Sequence, residues 1–136
     1  MDIQAEGKAL DPTTLLTLHS KKTGALLRAS LRVGGLAGGA DDAAMASLTR
    51  YGERLGLAFQ IVDDILDIEG SSVEMGKTAG SDMRKHKATY PAVFGLEASR
   101  QEAARLLAEA CEAVFPLGGG ATTLMALADF VGRRRS

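Results

Sequence analysis

The hydrophobic and polar positions along the chain follow the repeat of an α-helix, and no segment shows the two-residue alternation typical of a strand. Apolar residues recur at helical spacing after Gly24, along the segment from Asp42 to Ile68, and again from Ala103 to Val114. Glycine clusters and prolines separate these segments. A polar stretch without either periodicity covers residues 73–91. The pattern predicts an all-α helical bundle.

Residues typical of helix ends indicate the boundaries. Asp11 followed by Pro12 predicts a helix start, because Asp caps the first turn and Pro has no N–H to lose there. The glycines of residues 34–39 are expected to close the next helix, and Asp41 and Asp42 to cap the one after it. That helix should end at Ile68, before Gly70 and two serines. Helix is expected again from residue 91 to about 96, then until Pro116, and finally over residues 123–131.

The segment LGLAFQIVDDILDIEG, residues 55–70, is the most informative part of the chain. Its apolar residues cover most of a helical circumference, which predicts a helix surrounded by its neighbours. Asp63, Asp64 and Asp67 interrupt the apolar pattern. Because unpaired carboxylates in an apolar interior are costly and repel one another, a compensating positive charge is expected close to them.

Helical spacing brings these carboxylates together. Residues three and four apart share a face, so Gln60, Asp63, Asp64 and Asp67 should form one polar patch about 6 Å tall. Carboxylates without a neighbouring His or Cys favour Mg²⁺ or Mn²⁺ over softer metals, with water and phosphate as further ligands. The alternative interpretation is a solvated acidic helix face.

Composition and charge narrow the classes of function. The chain has 136 residues, 46% of them hydrophobic, and a formal net charge of −1, so neither nucleic acid nor an anionic membrane is expected as a partner. The single Cys111 excludes an internal disulfide and agrees with a cytoplasmic setting. The longest uncharged run, residues 113–128, is interrupted by Pro116 and three glycines, which predicts a soluble protein rather than a membrane span.

Basic residues are concentrated in the polar stretch after the acidic helix. Lys77, Arg84, Lys85 and Lys87 lie there, and a flexible segment could fold them back over the carboxylates. Lysines and metal-bound carboxylates together would neutralise a diphosphate as negative charge develops on it. The alternative is a solvated basic loop.

Three segments resemble motifs of bacterial short-chain trans-prenyl diphosphate synthases, the polyprenyl synthetase family that includes farnesyl diphosphate synthase. HSKKTGALLRA resembles its lysine-threonine-glycine motif, FQIVDDILD its second aspartate-rich motif, and GKTAGSDMRKHKATYP its conserved loop, in that order. The resemblance covers nearly the whole chain. It implies that residues 1–136 form the C-terminal portion of a polyprenyl synthetase domain, with the all-α isoprenoid synthase fold.

The resemblance also implies a reaction and its residues. Such enzymes are cytoplasmic transferases that condense an allylic diphosphate with isopentenyl diphosphate through Mg²⁺-assisted ionisation. The residues implied are Asp63, Asp64, Asp67 and Asp82 for the metal, Lys22, Lys77 and Lys87 for the diphosphate, and Lys22, Thr23 and Gln60 for catalysis. Arg133, Arg134 and Arg135 resemble the short basic tail that family members fold over the entrance.

One part of the family pattern is absent from the sequence. The only DDxxD begins at Asp63, whereas the family has a first aspartate-rich motif and isopentenyl diphosphate-binding residues in its N-terminal half. We therefore expect the N-terminal half to be missing and the chain to be inactive alone. We also expect it to form a homo-oligomer or to bind an N-terminal-half partner. The alternative is a non-catalytic helical partner subunit or a degenerate remnant. A carboxylate di-metal oxidase would need Glu-x-x-His, which does not occur.

Overall fold

The computed structural model of the chain describes residues 24–73 and 89–134. These residues form α-helices and one 3₁₀ helix, and they include no strand, so the all-α prediction is confirmed. In chain order the elements are α1 (Ala25–Ala37), α2 (Asp42–Val73), α3 (Tyr90–Phe94), α4 (Leu96–Val114), the 3₁₀ helix (Phe115–Ala121) and α5 (Thr122–Arg133). The helix expected after Asp11 lies outside the described residues.

The junction between α1 and α2 is formed by two glycines and an aspartate. Gly38 is the C-cap of α1, and Gly39 has a φ of 79°, a left-handed conformation that glycine adopts without strain. The backbone N–H of Ala44 donates to the Asp41 carboxylate at 2.8 Å, which confirms the predicted cap at Asp41. Asp42 is instead the first residue of α2.

Gly34 and Gly35 lie inside α1, so their predicted role in ending it was wrong. Gly35 is needed inside α1 because α2 approaches the helix closely at this position. A Cβ added to Gly35 would lie 2.5 Å from the Met45 sulfur and 2.9 Å from Cδ1 of Leu48. Gly52 of α2 makes the reciprocal approach, because a Cβ there would lie 3.1 Å from the Cα of Arg28. The two helices therefore pack closely through glycine.

Helix α2 is the central element and packs most extensively against α4 and then α1. The Tyr51 side chain is fully buried, and its hydroxyl donates to the Leu124 carbonyl of α5 at 2.6 Å. Arg54 pairs with Glu109 of α4 at 2.8 Å. The core is made mainly by α2, α4 and α5, and its buried apolar residues are Tyr51, Leu55, Ala58, Ile61, Val62, Ile65, Tyr90, Ala103, Leu106, Ala110, Val114, Ala121, Ala128 and Val131.

The C-terminal half of α2 is less enclosed than its apolar sequence predicts. Ile61, Val62 and Ile65 are buried, but Leu66 is only half-buried and Asp67 is exposed. The described neighbours thus cover one side of the helix. The helix also continues to Val73 rather than ending at Ile68, because a glycine within a helix costs only about 1 kcal/mol.

Helix α3 is a short turn that brings the chain back to the bundle. The Thr89 side chain accepts a hydrogen bond from the Ala92 N–H at 3.2 Å, and Pro91 lies in the first turn. Gly95, with φ 92°, separates α3 from α4. The expected helix from residue 91 to 96 is therefore the five-residue α3, interrupted before Leu96.

Residues Leu96–Arg133 are almost continuously helical, and an 18-residue window there has a mean hydropathy of 1.4. By length and composition this segment could cross a membrane. The sequence pattern did not predict this, because the uncharged run of residues 113–128 is shorter and is interrupted by Pro116 and three glycines. Its geometry is not that of one straight helix. Gly118 has φ 66° and ψ −137° within the 3₁₀ helix, so the chain bends between α4 and α5.

Candidate functional site

The residues of the predicted polar patch lie on α2 in different environments. Asp64 is half-buried next to α3, whereas Asp67 is exposed. The Asp63 side chain is intermediate, with 37% of its surface exposed. The need for a compensating positive charge therefore differs among the three carboxylates and is greatest for the most buried one, Asp64.

Asp64 is held by N–H donors on both of its oxygens. Gln60 Nε2 donates to Oδ1 at 3.3 Å, and the backbone N–H of Tyr90 donates to Oδ2 at 3.2 Å. The pKa of Asp64 is raised to about 6, mainly by burial; the Tyr90 and Gln60 hydrogen bonds oppose this rise, and the charges of Asp63 and Asp67 add to it. This carboxylate connects α2 to the start of α3.

Asp63 is paired with a residue from the C-terminal end of the described chain. Its Oδ1 lies 2.9 Å from Nη1 of Arg134, whose side chain is only 16% exposed. The guanidinium carbon of Arg134 also lies 4.8 Å from the centre of the Phe59 ring, a cation–π distance. Because Phe59 and Asp63 are four residues apart on α2, both face the same guanidinium.

A groove adjoins this ion pair and continues between α2, α4 and the end of α5. Its open part has a volume of about 590 Å³ and includes Arg100, Arg133 and Arg134 in its lining. A deeper part of about 270 Å³ has apolar walls that include Val62 and Leu107. Glu69, which also lines the groove, pairs with Arg100. The groove thus combines cationic and apolar surface beside Asp63.

The donor set at Asp63 and Asp67 fits a hard divalent cation. The two carboxylates are one helical turn apart, both are at least partly exposed, and Asp63 already has a cationic partner. Among residues 24–73 and 89–134, no group of three or more His, Cys, Asp or Glu side chains converges as a metal site. Mg²⁺ is commonly held by one or two carboxylates with water and substrate phosphate, so two suffice.

Some of the predicted site residues lie within the part of the chain that the structure describes, and the others lie outside it. Gln60 contacts Asp64, and the predicted polar residues share one face of α2. Asp64 and Asp63 have different partners on that face, Tyr90 for Asp64 and Arg134 for Asp63. The metal roles of Asp63, Asp64 and Asp67 and the catalytic role of Gln60 stay predictions. The other predicted site residues lie outside the described residues: Lys22, Thr23, Lys77, Asp82 and Lys87.

Sequence reasoning missed two partners of the motif. Arg134 was noted only as part of a basic tail, and nothing in the sequence links it to Asp63, since the two belong to distant segments. The second missed partner is Tyr90. Its ring lies 4.3 Å from that of Phe94, but its contact with Asp64 uses the backbone N–H, which no side-chain pattern identifies.

Comparison with known proteins identifies relatives of this chain. Residues 1–115 match the polyprenyl synthetase family. The chain is 41% identical over 138 residues to the farnesyl diphosphate synthase of Escherichia coli strain K12, covering 98% of this chain and 46% of that protein.

Solved structures of such enzymes share the fold. A decaprenyl diphosphate synthase from Rhodobacter capsulatus has a TM-score of 0.82 and 31% identity, with 99% of this chain and 54% of that one covered. A geranyltransferase from Helicobacter pylori, complexed with magnesium and isoprenyl diphosphate, has a TM-score of 0.69 and 30% identity, with 91% and 41% covered.

The length of the match is as informative as its identity. The chain spans less than half the length of the curated relatives it matches, although nearly all of the chain takes part in most of these alignments. Those relatives and structural neighbours are trans-prenyltransferases. The family match, the sequence identity and the all-α architecture agree, and the chain belongs to the polyprenyl synthetase family.

Proposed function

We propose that this chain provides the second aspartate-rich motif of a trans-prenyltransferase site, where Asp63 and Asp67 bind a divalent cation that carries an allylic diphosphate. The observation that supports this most strongly is the separation of roles within the motif. Asp64 is turned toward Gln60 and Tyr90, while Asp63 and Asp67 face the more open side of α2. Such an arrangement places two carboxylates one helical turn apart on a partly exposed helix face, a spacing that suits one hard ion.

The bound Mg²⁺ would neutralise charge on the departing diphosphate. In the proposed reaction the allylic C–O bond breaks and the diphosphate leaves with the bonding electrons. The double bond of isopentenyl diphosphate then attacks the allylic cation, a new C–C bond forms, and a proton leaves, with the released diphosphate as its acceptor.

The chain's own residues have distinct parts in this proposal. Lys22, Lys77 and Lys87 bind the diphosphate, and Asp82 orients the lysines and a metal-bound water. Thr23 and Gln60 present oxygens to the cation. For Gln60, donation of its Nε2–H to Asp64 fixes the orientation of the amide group, which supports this role.

The proposed substrates and protein partner follow from the family of the chain and from the share of its relatives' length that it matches. We propose an allylic diphosphate and isopentenyl diphosphate as substrates, the latter bound mainly by residues that correspond to the other half of the relatives. Full activity would then need an N-terminal-half partner, and a homo-oligomer is the other assembly that we propose. We expect a soluble, cytoplasmic protein.

A chimaera tests the proposal directly. The segment of Escherichia coli farnesyl diphosphate synthase that aligns with this chain is replaced by residues 1–136, and product is measured with Mg²⁺, geranyl diphosphate and isopentenyl diphosphate. We expect turnover, and we expect Asp63→Ala to reduce it by about a thousandfold or more. The chain without its complement should yield little or no product.

Matched variants distinguish ligand from scaffold. Asp129→Ala, an exposed carboxylate of α5, should leave turnover of the chimaera within about twofold. The proposal is overturned if the folded Asp63→Ala chimaera, checked by circular dichroism, works at the parent rate.

A second function, a non-catalytic helical partner subunit, is supported by one separate observation. Leu26, Val33 and Leu36 on α1 are 69%, 66% and 68% exposed. An apolar face of this kind is typical of a surface that another chain covers. If the chimaera is folded but inactive, while the chain binds a synthase and changes its rate, this alternative replaces the first.

A further inference from the structure

The two described arginines at the C-terminal end have different surroundings. Arg133 is 78% exposed and pairs with Asp129 one turn back on its own helix, at 2.6 Å. Arg134 is 16% exposed and pairs with Asp63 of α2. Neighbouring residues of equal charge are therefore used differently, one on the surface of α5 and one against the aspartate-rich motif.

The backbone explains how Arg134 reaches α2. Helix α5 ends at Arg133, and Arg134 has φ −58° and ψ 146°, so the chain leaves the helical path at this residue. Gly132 precedes the turn, and a Cβ there would lie 3.0 Å from Cδ1 of Leu107, so the glycine keeps the end of α5 close to α4. The Arg134 side chain is thereby directed toward α2, where it meets Asp63.

Two contacts define its position on α2. The guanidinium lies 2.9 Å from Oδ1 of Asp63 and 4.8 Å from the centre of the Phe59 ring. The carboxylate supplies charge, and the ring supplies a cation–π contact from the adjacent turn. A cation is thus already held at the carboxylate that the proposed function assigns to the metal.

We propose that Arg134 is an internal competitor of the divalent cation at Asp63 and so sets the metal affinity of the motif. This inference rests on the proposed function of Asp63. A divalent ion at the Asp63 carboxylate would stand within a few ångströms of the guanidinium, and their repulsion opposes simultaneous occupancy. Metal binding therefore displaces Arg134 and detaches the end of α5 from α2.

The contact between Arg134 and Asp63 is electrostatically favourable before metal binds. Asp63 lies next to Asp64 and one turn from Asp67, and the charges of Asp63 and Asp67 act on Asp64. Arg134 compensates this cluster of negative charge in the metal-free chain. Once displaced, its guanidinium is a cation at the edge of a groove that already contains Arg100 and Arg133.

The test measures binding of Mn²⁺ to the full 136-residue chain by electron paramagnetic resonance, without substrate. We expect Arg134→Gln to tighten Mn²⁺ binding by about three- to tenfold, because it removes a partly buried ion pair and a cation–π contact. Phe59→Leu, which changes no charge, should tighten binding by a smaller factor. Arg133→Gln is the matched control, and its effect should be under about twofold.

A double-mutant cycle assigns the effect to Asp63. In the Asp63→Asn background, Mn²⁺ binding should be weaker, and Arg134→Gln should no longer tighten it. Hydrogen exchange of the wild-type chain gives a second measurement that needs no substitution. Saturating Mg²⁺ should speed amide exchange over residues 132–134 and not over residues 103–110 of α4.

The outcomes separate this inference from the proposed function. If Asp63→Asn does not weaken Mn²⁺ binding, the metal site itself is wrong, and the competition is wrong with it. If Asp63→Asn weakens binding but Arg134→Gln leaves it unchanged or weaker, only the competition is overturned. Exchange at residues 132–134 that stays constant or slows with Mg²⁺ overturns it as well.

Discussion

The Asp64 carboxylate accepts a hydrogen bond from the backbone N–H of Tyr90 at 3.2 Å. This contact attaches the C-terminal half of α2 to the residue with which α3 begins. The adjacent Asp63 instead pairs with Arg134. Two neighbouring aspartates of one motif therefore hold different parts of the chain against α2, one the start of α3 and the other the end of α5.

The first prediction concerns Asp64→Asn and pH. The folded-state pKa of Asp64 is raised from 3.8 to about 6, mainly by burial, so the unfolded chain releases this proton more readily. The contribution of Asp64 to wild-type stability is therefore neutral below about pH 4, becomes unfavourable between pH 4 and 6, and stays unfavourable above that range. Because Asn does not titrate, the variant should gain about 2 kcal/mol relative to wild type between pH 4 and 7.

Urea unfolding of both proteins at pH 4, 5, 6 and 7 measures this difference. Asp129→Asn, at an exposed position of α5, corrects for the general effect of removing one carboxylate. A stability difference between Asp64→Asn and wild type that is flat across this range would contradict the account of Asp64.

The fold class and the position of the acidic residues could be predicted from the sequence. Helical periodicity predicts α1, α2 and α4, and the three- and four-residue spacing places Gln60, Asp63, Asp64 and Asp67 close together. The spacing cannot separate Asp63 from Asp64, because what covers each depends on α3 and the end of α5. The bond from Tyr90 uses a main-chain N–H, which every residue except proline carries.

The glycines were misinterpreted for a related reason. A glycine pair in a sequence indicates a helix end as readily as a close contact between helices, and only the partner decides between them. At Gly35 the partner is Met45 of the following helix. Local sequence carries the propensity of the glycine but not the distance to the second helix.

The second prediction compares two glycines in the α1–α2 hairpin. A Cβ at Gly52 would lie 2.8 Å from Cδ1 of Leu31 and 3.1 Å from the Arg28 backbone, so Gly52→Ala should destabilise the chain by about 1–3 kcal/mol. At Gly34 nothing lies within 4 Å of such a Cβ, and alanine is the better helix former.

Gly34→Ala is therefore the matched control, with an expected gain of about 0.5–1 kcal/mol. Urea unfolding followed by circular dichroism would measure the change in unfolding free energy for both variants. Equal effects of the two substitutions would show that the helices do not approach as closely as described.

The third prediction concerns the hydroxyl of Tyr51. It donates to the Leu124 carbonyl at 2.6 Å from a fully buried ring, so Tyr51→Phe should cost about 1–2 kcal/mol of unfolding free energy. Tyr51→Leu, which also alters the packing of the ring, should cost more.

The alkaline range provides an independent check on Tyr51. Burial raises the pKa of its phenol from 10.0 to about 12, so wild type should lose stability as pH rises from 10 to 12. Tyr51→Phe should not undergo that loss. If its unfolding free energy matches wild type at pH 8 and falls in parallel up to pH 12, the hydroxyl does not bridge α2 and α5.

The last prediction concerns the exposed face of α1. Leu26, Val33 and Leu36 recur at helical spacing and are each about two-thirds exposed, at 69%, 66% and 68%. Apolar side chains presented in a row favour association with another surface, so the isolated chain should self-associate in a concentration-dependent way. Sedimentation velocity at about 5 to 200 μM would measure this.

The triple substitution Leu26→Gln, Val33→Thr and Leu36→Gln should shift the isolated chain toward monomer. Phe130→Gln is the matched control, because Phe130 is 63% exposed but lies on α5, away from this stripe. A wild-type chain that stays monomeric at 200 μM and melts cooperatively would contradict the prediction. If only Phe130→Gln dissociates the assembly, the contact surface lies on α5, and the exposed face of α1 has no part in it.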